Sequence, residues 1–307
     1  MNKLLYHFLY VSTWLLSLLP LSLLYIFSDI VFVFIYYIFG YRKRIVWENL
    51  KNSFPNKNDE ELRKIARNFY LYFCDNFVET IKLLTMSQKE MRRRFVYENC
   101  DLLDDYYEQD KNLILYLGHY GNWEWLTFAK TAQACRHPDF LPYSVYHPLE
   151  SKVFDKFYLK LRSKSGSVLL PQNKVLRKLI EIKKSKEKAF FCFISDQGTG
   201  WPNMYFWMQF LNQETAPIVG PERIAKQTGY PVLYIDVTRV KRGYYTGKFM
   251  VISEDARDLP EFELTKKYMR LLEQTIVRNP SYWLWTHKRW KRKRKDMPEN
   301  LAQKINC

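Results

Sequence analysis

Residues Leu113 to Trp125 read LILYLGHYGNWEW. An apolar, β-prone run, Leu113 to Leu117, stops at Gly118 and His119, and a helical pattern resumes at Trp123 and Glu124. The stretch therefore predicts a strand, a tight turn and a helix, with a histidine at the carboxyl end of the strand, where open α/β sheets place their ligands. On one continuous helix His119 and Glu124 would point about 140° apart, at roughly 100° per residue. With Asn122 as the N-cap, Trp123 and Glu124 start the helix and His119 stays in the loop, so the turn can fold the two side chains together. An imidazole takes a proton from a hydroxyl near neutral pH, and a carboxylate on its far nitrogen sets the tautomer. The expectation is His119 as base and Glu124 as its orienting group, against the alternative of a structural histidine.

Working outward, short apolar runs alternate with helical patterns, which predicts an α/β fold around a central, mostly parallel sheet flanked by helices. The expected strands are Leu113 to Leu117, Leu141 to Tyr146, Ser167 to Leu170, Ala189 to Ile194, Val232 to Val237 and Phe249 to Ile252. The expected helices between and after them are Trp123 to Arg136, Glu150 to Ser165, Lys174 to Lys184, Pro217 to Gln227 and Glu261 to Val277. Upstream, Asn58 with Glu61 three residues later reads as a capping box for a helix to about Leu84. Its stripe of Leu62, Ile65, Phe69, Tyr72, Phe73, Phe77 and Ile81 suits core packing or membrane contact.

At 307 residues the chain is long enough for one large globular domain with an appendage. From Leu4 to Phe39 there is no Lys, Arg or Glu and only Asp29 as a formal charge. This predicts an uncleaved membrane anchor, residues 1–40, ahead of a globular part, residues 41–307. Thirty-six residues exceed one span of about 20 and barely reach two, so the expectation is a membrane helix or hairpin in which Pro20 divides a membrane-inserted helix from a second one that is inserted or lies in the interface. Arg42, Lys43 and Arg44 follow at once, which places the globular part on the cytoplasmic side.

The net charge of +16 implies acidic partners. Seven of the eight residues from Lys288 to Lys295 are basic, and Trp283, Trp285 and Trp290 precede or interrupt them. Beside a membrane anchor this composition favours an anionic lipid surface over nucleic acid. The five cysteines, Cys74, Cys100, Cys135, Cys192 and Cys307, are scattered and form no C-x-x-C pair, so they read as reduced and no metal site is expected. Two strand ends carry further polar residues. Tyr146-His147-Pro148 is a donor site or a plain proline turn, and Asp196-Gln197 a cation partner or a loop cap.

In order and spacing these elements resemble the late acyltransferases of lipid A biosynthesis, the lauroyl and myristoyl transferases within the lysophospholipid acyltransferase-like superfamily. The resemblance rests on the apolar N-terminus, Asn49-Leu50, Phe54-Pro55 and HYGNWE at His119 to Glu124 as a form of the HxxxxD/E motif. It continues through Tyr146-His147-Pro148-Leu149, Asp196-Gln197, the G-x-x-x-x-A-x-x-T-G segment from Gly220 to Gly229 and PSYWLWTHKRWK from Pro280. It implies a glycerolipid acyltransferase-like fold at the cytoplasmic face of the inner membrane. It also implies transfer of a fatty acyl chain from an acyl carrier protein thioester to a hydroxyl of a lipid A precursor, with no cofactor beyond that co-substrate. His119 and Glu124 would then be catalytic. Asn122, Tyr146, His147, Asp196, Gln197, Trp283, His287, Arg289 and Trp290 are the candidate binding residues. The family commonly has Arg where this chain has His147, which need be neither a cation nor a bidentate donor at pH 7. Two alternatives stay open: acylation of a lysophospholipid, ornithine lipid or glycolipid from acyl-CoA or a carrier protein, and a non-catalytic basic protein of the membrane surface.

Overall fold

The computed structural model describes residues 2–128 and 135–302. Its sheet strands are β1 (Phe95–Tyr97), β2 (Leu113–Leu117), β3 (Leu141–Tyr146), β4 (Val168–Pro171), β5 (Ala189–Ile194), β6 (Met208–Phe210), β7 (Gln213–Thr215), β8 (Val232–Lys241) and β9 (Tyr244–Ser253). Seven of them form one sheet in the order β1-β9-β8-β2-β5-β3-β4, and β6 and β7 form a separate hairpin. All neighbours in the large sheet are parallel except β8 and β9, which pair antiparallel across the tight turn at Arg242 and Gly243. The sheet is mostly parallel, as the alternating pattern predicts. Every residue of β2 is buried, which is why LILYL reads as a continuous apolar run.

The helices are α1 (Asn2–Leu18), α2 (Leu21–Phe32), α3 (Lys43–Ser53), α4 (Asp59–Lys82), α5 (Gln88–Arg94), α6 (Asp101–Glu108), α7 (Trp123–Leu126), α8 (Lys152–Arg162), α9 (Val175–Ser185), α10 (Gly220–Thr228), α11 (Glu263–Arg278) and α12 (Glu299–Ala302). The expected capping box is present. The Asn58 side chain accepts from Glu61 N, and the Glu61 carboxylate accepts from Asn58 N, both at 2.9 Å. Pro20 separates α1 from α2, and α2 continues into a wider π-helical segment, Val33–Ile38. Leu21–Ile38 is the one stretch among the described residues long and apolar enough to cross a membrane.

Three expectations need correction. The strand expected at Phe249 to Ile252 begins five residues earlier, since Tyr244 to Lys248 read as polar or glycine-bearing yet pair with β8. The edge strand β1 and the β6–β7 hairpin, three residues per strand, are too short to show a period. Of the helix expected over Trp123 to Arg136, only Trp123–Leu126 is seen as helix, and residues 129–134 lie outside the described set. No disulfide joins the four described cysteines.

Candidate active site

Strands β2 and β5 are neighbours with Leu117 opposite Ile194. Two residues beyond each of these lie His119 and Asp196, so the register alone brings them side by side. His119 Nδ1 is 2.6 Å from Asp196 Oδ1, and the His119 backbone N–H donates to Asp196 Oδ2 at 2.8 Å. Trp283 Nε1 donates to the same Oδ2 at 2.7 Å. A carboxylate only accepts, so Nδ1 carries a proton, and in the neutral ring the lone pair is on Nε2. Gln197 places its amide nitrogen 3.2 Å from that Nε2. Burial pushes the Asp196 carboxyl up, but the adjacent His119 ring and the donated hydrogen bonds outweigh it and hold the group at about 2.

The expected His119–Glu124 pair is not formed. Glu124 is buried and is gripped by Arg162 of α8 through Nε at 2.8 Å and Nη2 at 2.6 Å, one bond to each carboxylate oxygen. The two nitrogens of the imidazole meet Asp196 and Gln197 instead. Arg162 gave no signal in the sequence because it belongs to an ordinary basic helix end. Asn122 is the N-cap as expected, its Oδ1 accepting from Trp125 N at 3.1 Å. Its Nδ2 donates to buried Glu79 at 2.6 Å, so both ends of the buried amide hold the turn.

The turn is stitched from several directions. Gly121 adopts φ +58°, and a Cβ there would meet Val237 at 2.7 Å. Its carbonyl accepts from Tyr72 Oη and, at 3.1 Å, from Asn76 Nδ2 of α4. The segment Tyr282 to Leu284 runs antiparallel to it: Gly121 N donates to Tyr282 O at 2.9 Å, and Leu284 N to His119 O at 3.2 Å. Asn49 of α3 then clamps that segment, donating to Trp285 O at 2.8 Å and His287 O at 3.1 Å. Phe54 packs its ring against Trp285, with centroids 5.8 Å apart. The Asn49-Leu50 and Phe54-Pro55 elements thus position the tail against the turn.

This corrects the expectation that the tail tryptophans face lipid. Trp283 and Trp285 are core residues, 3% and 0% exposed, and Trp290 is half-buried with its Nε1 on Thr215 at 2.7 Å. Arg289 is also buried. One of its nitrogens, Nη1, donates to Asp196 O, while Nε and Nη2 have no partner among the described residues, and burial lowers the group to about 10. His287 Nε2 accepts from Gly198 N at 3.3 Å, and burial, with Arg289 next, pushes its ring down to about 4. Tyr146 ends β3 half-buried, and His147 is exposed with Nδ1 3.0 Å from Pro148 O, outside the His119 cluster. A groove of about 720 Å³ beside the tail is lined by Phe54 and Trp290 and edged by Lys51, Lys57, Arg292 and Lys293. Among the described residues no group of three or more His, Cys, Asp or Glu could hold a metal ion.

A family model described as bacterial lipid A biosynthesis acyltransferase matches residues 2–292. The lipid A biosynthesis palmitoleoyltransferase of Escherichia coli (strain K12) is 23% identical over 252 residues, 81% of this chain and 79% of that protein. The lipid A biosynthesis lauroyltransferase of the same organism is 22% identical over 260 residues, 84% and 81%. The lipid A biosynthesis acyltransferase of Shigella flexneri is 23% identical over 252 residues, 81% and 79%.

Proposed function

Because the chain belongs to the bacterial lipid A biosynthesis acyltransferase family and is an acyltransferase, we propose that it moves a fatty acyl group from an acyl carrier protein thioester to a hydroxyl of a lipid A precursor. The observation that carries the mechanism is the His119 ring, held by Asp196 at Nδ1, 2.6 Å away, with Nε2 on the Gln197 side. The acceptor hydroxyl displaces the Gln197 amide from Nε2, which takes its proton as the oxygen attacks the thioester carbonyl. Asp196 stabilises the imidazolium that forms, in the role a buried carboxylate plays beside a catalytic histidine. The tetrahedral intermediate collapses with loss of the thiolate, and Nε2 returns the proton to that sulfur. The acyl chain ends as an ester and the carrier as a free thiol. In this reading Asp196 replaces Glu124 as the orienter, and Glu124 with Arg162 shapes the wall beside Trp123, whose ring lies 5.3 Å from that of His119. The basic groove at Lys51, Arg292 and Lys293 supports an anionic partner, either the carrier protein or the phosphate-bearing acceptor.

The test has two arms. Purified His119→Ala should lose on the order of 10²-fold or more in kcat with acyl carrier protein as donor, the usual scale for a general base. Wild-type rates from a folded variant would remove His119 from the chemistry. Mass spectrometry of lipid A from a strain deleted for this protein should show one acyl chain fewer. An unchanged lipid A with altered phospholipids would transfer the reading to another lipid acceptor.

A further inference from the structure

The apolar N-terminus lies along the globular domain. Four side chains of α2, Leu21, Leu24, Ser28 and Phe32, are buried, and α2 with its π extension runs antiparallel to the C-terminal half of α4. At the Pro20 corner, Lys82 Nζ donates to Ser17 O at 3.0 Å and Leu19 O at 2.9 Å. One turn on, Tyr25 Oη donates to Glu79 at 2.9 Å. Next, Ser28 Oγ donates to Asp75 at 2.8 Å, and Asp29 meets Arg242 at 2.6 Å from the β8–β9 turn. Near the far end the Tyr36 and Tyr70 rings are 5.2 Å apart, and Tyr70 Oη donates to Tyr41 O at 2.5 Å.

The consequence is geometric. An 18-residue helix is about 27 Å long, close to the roughly 30 Å of bilayer hydrocarbon. Were Leu21–Ile38 to cross, α4 would cross with it. Asp75 and Glu79 would then sit at hydrocarbon depth together with Arg242 of the β8–β9 turn and Arg239 of β8, which also pairs with Asp75 at 2.7 Å. Ionisable groups at that depth are costly.

Yet the outer face of the same segment is apolar and open. Phe8 is 73% exposed, Leu15 54%, Ile26 58% and Ile30 51%, and α4 adds Phe77 at 55%. A continuous face of this kind marks a partner surface. Lys3 at one end and Arg42, Lys43 and Arg44 at the other are exposed cations, which suit anionic headgroups on one side of a bilayer. We infer that residues 2–39 seat the enzyme in a single leaflet, α1 and α2 lying in the interface with their outer faces about 5–10 Å deep, and that the chain does not cross the membrane.

The experiment uses the full-length chain with single substitutions Lys3→Cys, Leu19→Cys and Arg44→Cys, each first shown to retain wild-type acyl transfer in membrane extracts. A membrane-impermeant polyethylene glycol maleimide is applied to intact spheroplasts and to everted vesicles, and adducts beyond those of the unsubstituted chain are counted by gel shift. One extra adduct at positions 3 and 44 from the same side, and none at position 19 from the opposite side, is the expected result. Labelling of positions 3 and 44 from opposite sides would establish a single span and overturn the inference. Labelling of position 19 from the side opposite position 44 would establish a hairpin crossing and overturn it equally, as would protection of position 3 from both sides.

Discussion

Asp196 and Asp75 are equally buried carboxylates, 1% and 2% exposed, in two regions of one molecule. Around Asp75 the charges are paired. Arg239 reaches it at 2.7 Å, Arg242 at 2.6 Å, and Ser28 adds a hydroxyl at 2.8 Å. Around Asp196 the donors are a backbone N–H, an indole N–H and the near nitrogen of an imidazole whose far nitrogen still has a lone pair. A closed ionic lattice holds parts together, because breaking it leaves charges buried without a partner. An arrangement that ends in an open basic nitrogen can pass its polarisation to a substrate. The first region fastens α2 to the domain, and the second is where a proton can move.

The largest effect expected from this contrast is on Asp196→Asn. The amide can still accept from Trp283, but it no longer stabilises the imidazolium and can favour the tautomer with Nε2 protonated. A fall in kcat on the order of 10³-fold or more is expected, comparable to the loss in a serine-protease triad when its aspartate is made an amide. The acceptor KM should change little. A variant with more than a tenth of wild-type kcat would separate Asp196 from catalysis. Asp75→Asn should do the reverse. Removing one partner of a buried ionic cluster costs about 3–5 kcal/mol, so the thermal midpoint should drop by many degrees. Below that midpoint kcat should stay within about twofold of wild type. If the two variants affect activity alike, the division between holding and reacting fails.

Glu124 is the intermediate case, and it marks the boundary of what the sequence discloses. Its salt bridge with Arg162 is closed like the Asp75 lattice, although it sits five residues from His119. Glu124→Gln should therefore be felt mainly as instability, about 3 kcal/mol from an orphaned Arg162, with a smaller loss of kcat than Asp196→Asn. The opposite ranking, measured side by side in purified enzyme, would restore Glu124 as the orienter.

The strand β2, the glycine turn and the residues of the site were readable because they depend on local pattern: an apolar run, a positive-φ glycine and an N-cap. The pairing was not, because it depends on β2 lying beside β5 with Leu117 opposite Ile194, a contact between residues 77 apart. A local reading assigns His119 the nearest carboxylate in the chain, whereas the sheet gives it the nearest in space. The tail shows the same limit. Its tryptophans and cations looked like a membrane surface, but Asn49 and the His119 turn draw Trp283 and Trp285 into the core.

The smallest effect separates the regions by pH. His287 borders the reacting cluster, and its Nε2 accepts from Gly198 N, so the folded state needs the neutral ring. Its folded value is about 4, while an unfolded histidine titrates near 6.5. Between those values the unfolded chain binds the proton and the folded chain does not. The contribution of His287 to stability is therefore complete above about pH 6.5 and is lost as the pH falls toward 4. Asp196 works in a lower window: its depressed carboxyl contributes above about pH 4 and is lost as the pH falls toward 2. The thermal midpoint in detergent should thus decline from pH 6.5 to 4 in wild type and in Asp75→Asn, which leaves His287 untouched. In His287→Gln, whose side-chain oxygen can still accept from Gly198 N but does not titrate, the decline over the same interval should be shallower by a few degrees. Equal slopes in all three would mean that the ring is solvated in the folded enzyme and that Gly198 does not depend on it.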